Sequence, residues 1–374
     1  MIRRPPRRAA ATPVTDLALL LMLGLVLALA ACGGATADGA GTASPPVDQP
    51  RQGGTLTLSF SSEPTSLDPA VADDEAARRV AHDIYQGLVQ YAPEPGSAGT
   101  ELVPCLATEV PSVENGGLSV DGRTLTFHLR EGIRFQPPLS RELTADDVKY
   151  SLERMMRTRR APAAPLFSAV VGADRFAEGR ADEISGCEVV DERTLRIRLR
   201  QPDVSFLNAL AMPCCAVQPR EWVERWGGEL GRHPLGTGPF VLQKWTRGQE
   251  IVLTRNPDYW EAGMPYLDGV SYRVSLDPTD ALLRLERGEV DVLGDGVPAA
   301  EIARVTADPQ LGGLVRAQPE LAAVYLYMDV RPGPFRDAKV RRAPSWAIDR
   351  DKLAGLPGGA AVPLCPFPPG GVPG

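Results

Sequence analysis

An apolar run from Leu17 to Ala31 follows four arginines (Arg3, Arg4, Arg7 and Arg8) and closes on the small residues Ala30-Ala31, directly ahead of Cys32. This junction constrains the chain more than any other feature. A helix needs about 20 apolar residues to span a bilayer, and the run falls short of that. Positive charge, a short apolar segment and small residues, in that order, read as a secretory signal peptide. Residues 1–31 are therefore expected to be removed, and the body from Cys32 onward has to fold outside the cytoplasm.

Leu29-Ala30-Ala31-Cys32 also resembles the bacterial lipobox, which implies Cys32 as the site of lipid attachment. Residues 32–52 hold Gly33-Gly34-Ala35-Thr36 and Ser44-Pro45-Pro46 with almost nothing to pack, so they read as a flexible tether. Lipid, tether and folded body in sequence would hold a domain at the extracytoplasmic face, in the periplasm or at the cell surface, with the lipid as its only membrane contact.

The 374 residues carry 40 basic against 47 acidic side chains, a formal charge of −7, and the signal segment alone takes away four arginines and Asp16. The body is thus more acidic still, which argues against a nucleic-acid partner, since phosphate neutralisation needs clustered Lys and Arg. Its length allows a substantial core and two domains. Beyond Cys32 stand Cys105, Cys187, Cys214, Cys215 and Cys365, an odd number, with Cys214-Cys215 adjacent and poorly placed to bond to each other. A bridge such as Cys105 to Cys187 is one of several open pairings. No zinc spacing occurs, and His82, His128 and His233 are not paired at helical spacing, so neither a metal nor another cofactor is expected. The nucleophile elbow, HExxH and phosphate-loop patterns are all missing, which leaves a hydrolase without its machinery and argues against an enzyme.

Strand and helix signals alternate from residue 53 onward. Thr55-Leu56-Thr57-Leu58-Ser59-Phe60 alternates polar with apolar and predicts a half-buried strand after Gly53-Gly54. Asp74 to Gln86 predicts a helix with Ala77, Val80, Ala81, Ile84 and then Leu88 on one face, acids in its first turn and Gly87 as its stop. Asp121-Gly122-Arg123-Thr124-Leu125-Thr126-Phe127-His128-Leu129-Arg130 is echoed at Asp191 to Arg200, each a turn before a strand and together suggesting two similar hairpins in a small β-rich subdomain. Thr144 to Arg157 predicts a helix packed on it, capped by Thr144 with Asp147, with Val148, Leu152, Met155 and Met156 as core fillers. Asp277-Pro278 opens a further helix ended by Gly288 before the strand Val290-Asp291-Val292-Leu293, and this is read as the start of a second α/β unit. A last helix is expected from about Asp337 to Leu353, with Val340, Ala343, Ala347 and Ile348 on its apolar side.

A set of motifs resembles the solute-binding proteins of peptide and nickel ABC importers, extracellular family 5. They are Glu63-Pro64-Thr65-Ser66-Leu67-Asp68-Pro69, Ile84-Tyr85-Gln86-Gly87-Leu88-Val89, Leu125 to Phe135, Leu143 to Val148, and Pro234-Leu235-Gly236-Thr237-Gly238-Pro239-Phe240. Arg255-Asn256-Pro257-Asp258-Tyr259-Trp260, Gly288 to Val292 and Val340-Arg341-Arg342-Ala343 continue the series. Their order and spacing carry the resemblance from about Gly53 to Leu353.

The resemblance implies an α/β, two-lobed periplasmic-binding-protein-like (type II) fold with a small β-rich subdomain. It implies a peptide or other small solute in a cleft between the lobes, delivered to an ABC permease and ATPase complex. In this frame lobe I takes residues 53–95 and 206–275, the inserted subdomain 96–205, and lobe II begins at 276–353, ahead of an irregular Pro/Gly-rich tail at 354–374. Relatives continue further, so the second lobe is expected to be incomplete, and a truncated or non-transport surface lipoprotein retaining only lobe I stays open as an alternative. Pro344 falls inside the last helix, where a proline costs about 3 kcal/mol. Asp73, Asp74 and Glu75 correspond by position to a segment that faces the peptide in some relatives. Asp329 stands where relatives usually have asparagine, and Trp245 is a candidate wall of the cleft. Each has a structural reading too, because acids at a helix start favour its dipole and a lone tryptophan packs. Gly236 and Gly238 read as backbone-driven turn positions near the hinge.

Overall fold

The alternation that opens the body does form a strand, and its partners decide the architecture. The computed structural model describes residues 50–158, 164–317, 325–331 and 333–355. The signal segment, Cys32, most of the tether, Cys365 and nearly all of the Pro/Gly tail lie outside the described residues. In chain order, β1 (Thr55–Ser59), α1 (Glu75–Ile84), β2 (Val89–Tyr91), β3 (Leu102–Pro104), β4 (Thr124–His128) and α2 (Ala145–Arg157) come first. Next are α3 (Ala173–Ala177), β5 (Cys187–Asp191), β6 (Thr194–Arg198), α4 (Phe206–Leu210) and α5 (Arg220–Trp226). The series closes with β7 (Phe240–Thr246), β8 (Glu250–Arg255), β9 (Gly269–Arg273), α6 (Pro278–Glu286), β10 (Val292–Leu293), α7 (Ile302–Ala307), α8 (Ala338–Ala347) and α9 (Arg350–Gly355).

Five strands make one sheet in the order β10-β1-β9-β8-β7. β1 is parallel to both neighbours, with Leu56 opposite Val270 and Leu58 opposite Tyr272 on β9 and Val292 on β10. β8 is antiparallel to β9 and to β7. Ile251, Leu253, Val270 and Tyr272 turn one face of this sheet against Val80, Ala81 and Ile84 of α1. α1 begins on the cap Asp74 and stops earlier than expected, at Tyr85 in extended conformation (φ −120°, ψ 155°), ahead of Gly87. The cause is tertiary: Tyr85 is buried and its hydroxyl accepts the Leu235 amide at 3.2 Å, which draws the chain out of the helix.

The segment expected to start a second lobe instead completes this sheet. Asp277 caps α6, accepting the amides of Thr279 and Asp280, with Pro278 in the first turn as anticipated. The chain then returns to pair β10 with β1, so β9, α6 and β10 close a parallel crossover around β1. Leu282 is buried but Leu283 is exposed, so the leucines of this helix do not all face inward.

The echoed segments lie side by side. β4 and β6 pair antiparallel, Leu125 opposite Ile197 and Phe127 opposite Leu195, inside a three-stranded sheet β4-β6-β5. The repeat is therefore two adjacent strands of one sheet, each entered through a hairpin turn: β5-β6, and a shorter one before β4 in which Ser119 donates to the Thr124 carbonyl at 2.9 Å and Thr126 to the Gly117 carbonyl at 2.7 Å. α2 covers it with Val148, Leu152 and Met155 buried, and Asp147 accepts both the amide and the hydroxyl of Thr144, at 3.0 and 3.1 Å. Phe206, Leu210, Val217, Trp222 and Leu230 join this subdomain core, whereas Phe240 onward joins the sheet core; the expected return to lobe I at residue 206 thus comes later. Cys105, Cys187, Cys214 and Cys215 are buried free thiols, so the Cys105 to Cys187 bridge does not form. Burial pushes the Cys105 and Cys187 thiols up to about 12.

The single helix expected over 337–353 is two. Asp337 caps α8, whose carbonyl at Pro344 still accepts the Ile348 amide at 3.0 Å, and Ile348 is extended before α9 begins. None of Val340, Ala343, Ala347 and Ile348 is buried. Among the described residues no helix is long and apolar enough to cross a membrane.

Candidate functional site

In open α/β sheets ligands are met at the carboxyl ends of the strands. Here β1, β9 and β10 run one way, and β7, two antiparallel steps from β9, runs with them. Their carboxyl ends, at Ser59, Arg273, Leu293 and Thr246, share one edge. The loop from β1 to α1 crosses it and is pinned residue by residue. Ser61 donates its amide to Asp295 at 2.5 Å. Glu63 accepts the Trp245 indole N–H at 2.8 Å and the Gly248 amide at 3.2 Å. Thr65 gives its amide and hydroxyl to Asp74, at 3.0 and 2.6 Å, and Leu67 donates to the Gly231 carbonyl at 3.1 Å. Asp68 is held in a two-pronged pair by Arg154 of α2, at 2.8 and 2.5 Å, and Arg154 also donates to Gln218.

The structure brings Asp73, Asp74, Glu75 and Trp245 to this edge. Asp74 is spent on structure: it accepts Ala77 at 2.7 Å as the helix cap and Thr65 from the loop. Burial pushes its carboxyl upward, but the Thr65 hydroxyl and amide, the Ala77 amide and the nearby Arg78 charge outweigh that and leave it below the usual aspartate value. Such a group stabilises the fold above its unfolded pKa, and that contribution is lost as pH falls through the lowered value. Asp74→Asn is accordingly expected to cost about 1 kcal/mol at pH 7, a deficit that narrows as urea melts are moved toward pH 2. A deficit independent of pH would contradict it. Glu75 is exposed and paired with Arg79 at 2.7 Å, and Asp73 is exposed with its carbonyl receiving Arg78. Asp329, on the separate stretch 325–331, makes its hydrogen bonds to Arg331 at 3.0 to 3.2 Å, which hold its carboxyl below the usual range.

Gly236 and Gly238 have no positive φ; what they supply is the absence of a Cβ. The crossing Pro234–Phe240 runs against the end of α1, where Gly238 donates to the Ile84 carbonyl at 2.9 Å. A Cβ at Gly236 would meet that carbonyl oxygen at 2.4 Å. Three buried amides missed in the sequence close the seam. Gln136 donates to the carbonyls of Ile84, Gly238 and Phe240 at 3.2, 3.0 and 2.7 Å. Asn256 donates to Gly238 at 2.9 Å, and Gln86 takes the Trp260 N–H at 2.9 Å while donating to the Tyr259 hydroxyl at 3.0 Å. A glutamine or asparagine reads as surface unless its burial is known.

A cavity of about 750 Å³ lies on the subdomain between Tyr91, Arg200, Phe206 and Asn208 and shares no residue with the carboxyl edge. Its polar groups are already matched: Tyr91 donates to Asn208, Arg200 to Asp174, and Ser205 to Asp203. Among the described residues no group of three or more His, Cys, Asp or Glu side chains could hold a metal ion.

Residues 101–374 match the family model of the bacterial extracellular solute-binding proteins, family 5 Middle. The chain belongs to this family. It is 31% identical over 329 residues to di/tripeptide-binding protein 2 of Pseudomonas aeruginosa, covering 84% of this chain and 58% of that protein. It is 31% identical over 298 residues to the glutathione-binding protein GsiB of Escherichia coli O1:K1, covering 80% and 52%. Among solved structures it resembles the murein tripeptide binding protein MppA of Escherichia coli, with a TM-score of 0.68 and 27% identity over 82% of this chain and 57% of that one. The α/β periplasmic-binding-protein fold expected from the motifs is the fold of this neighbour. The chain spans between half and three fifths of the length of these relatives.

Proposed function

We propose that this family 5 protein is the lipid-anchored, extracytoplasmic binding component of an ABC importer, taking short peptides or peptide-like solutes and presenting them to a membrane permease driven by an ATPase. One observation carries the reading: relatives named for dipeptides and tripeptides, glutathione and murein tripeptide each align over 80% or more of this chain. The carboxyl edge is consistent with it. Its loop is held by bonds to Trp245, Asp74, Gly231 and Arg154, which fixes the backbone and leaves Asp73 exposed to meet a ligand. Binding in this manner needs no bond-making group, in keeping with a receptor.

Calorimetric titration of the chain from Cys32 onward with trialanine and with glutathione tests the reading. Heat of binding with a dissociation constant below about 1 mM is expected for at least one of them. Cooperative melting without any such heat would overturn the peptide reading. The anchor is tested separately: Cys32→Ala is expected to move the protein from the membrane pellet to the soluble fraction, and an unchanged partition would sink it.

A further inference from the structure

Arg232 closes the turn Gly227–Arg232 and lies over Trp245, its guanidinium carbon 3.7 Å from the ring centroid. The indole beneath it is held by its N–H bond to Glu63, at 2.8 Å, and the other oxygen of Glu63 takes the Gly248 amide at 3.2 Å. The Glu63 carboxylate is thus engaged by two other donors, and Glu229, on the same turn as Arg232, is exposed. Other half-buried arginines have oxygen partners: Arg130 the Cys105 carbonyl, Arg141 both Asp147 and Glu221, Arg154 Asp68, and Arg255 Asp268. Arg232, also half-buried, makes no hydrogen bond or ion pair among the described residues. Burial lowers its pKa from the ordinary arginine value, and the positive charge of Arg247 lowers it further, against the opposing negative charges of Glu63 and Glu229.

A guanidinium stacked on a ring uses its face and keeps its in-plane N–H donors, five in a fixed fork that matches a carboxylate. Partial burial strengthens any charge-assisted bond it makes. We propose that Arg232, seated on Trp245, forms a carboxylate subsite at the carboxyl edge of the five-stranded sheet. It deepens the peptide reading and rests on it for the source of the carboxylate, either a free peptide C-terminus or an acidic side chain.

The test uses the nitrogen-15-labelled chain from Cys32 onward and the indole N–H signal of Trp245, assigned by its loss in Trp245→Phe. Acetyl-dialanine, its C-terminal amide and acetyl-glutamate blocked as the amide at its backbone carboxyl but free at the side chain are titrated in turn. A saturable shift is expected with one or both carboxylates and at least tenfold weaker binding of the neutral amide; which acid binds tells the C-terminus from the side chain. Arg232→Gln is expected to lose at least tenfold in carboxylate affinity, and Arg232→Lys, which keeps the charge without the fork, to fall between. Equal binding of acid and amide by the unaltered chain would overturn the subsite whatever the variants do, and so would a cooperatively melting Arg232→Gln of unchanged affinity. Calorimetry with amidated trialanine separates the two ideas. Binding of that amidated peptide without carboxylate preference leaves the receptor and removes the subsite, whereas a carboxylate-dependent Trp245 shift in a chain that binds no peptide does the reverse.

Discussion

Gly238→Ala is expected to destabilise the protein by on the order of 3 kcal/mol or more, far beyond an ordinary glycine substitution. A Cβ there would sit 2.5 Å from the Ile84 carbonyl carbon, 2.6 Å from its oxygen and 2.7 Å from the Asp83 oxygen. All three are backbone atoms in the last turn of α1, so no side chain can swing aside. Moving the crossing away would loosen the Gly238 to Ile84 bond and the bonds that Gln136 and Asn256 make to the Gly238 carbonyl, leaving buried amides short of partners. Gly179→Ala is the control, because that residue has φ of +71° but open space around its Cβ position, and it should cost about 1 kcal/mol. Urea melts followed by far-ultraviolet circular dichroism compare the two. A Gly238→Ala variant within about 1 kcal/mol of the parent would show that the seam is softer than its contacts require.

Arg154→Ala is expected to cost about 3 to 5 kcal/mol, because it leaves Asp68 nearly buried and uncompensated. The two side chains are 16% and 10% exposed, and the pair joins α2 of the subdomain to the loop that crosses the carboxyl edge. Arg154 also donates to Gln218, so its loss frees two acceptors at once. The double variant Arg154→Met with Asp68→Leu should recover most of the deficit, since replacing both charges with apolar groups removes the desolvation penalty as well as the attraction. If the double variant melts no higher than Arg154→Ala, the cost lies in packing rather than in the stranded carboxylate. The same pair fixes the middle of the Glu63 to Asp74 loop, so peptide affinity is expected to fall with it.

Much of the local structure is legible in the chain because its causes are local. Asp74, Thr144, Asp277 and Asp337 each cap the helix that begins after them, and the alternation at Thr124–His128 is that of a strand with one buried face. The acids at the head of α1 illustrate the limit. Residue type and position single out all three, yet only the fold separates Asp74, committed to Ala77 and Thr65, from Asp73, left exposed beside it. Trp245 can be picked out from its place after the glycine crossing, but not the arginine that covers it, since nothing in the spacing from 232 to 245 says that the two side chains stack.

Helix starts, the core faces of β4, β6 and α2 and, through motifs in a fixed order, membership of the solute-binding family are all written in the order of residues along the chain. Packing in three dimensions settles which sheet β10 joins, where α1 stops, and which polar residues are buried. Those outcomes rest on pairs far apart in the chain: Gln136 with Gly238 across 102 positions, Trp245 with Glu63 across 182. Capping and alternation are settled by groups within one turn or one strand, whereas such pairs form only when the whole chain has closed around them and water has left.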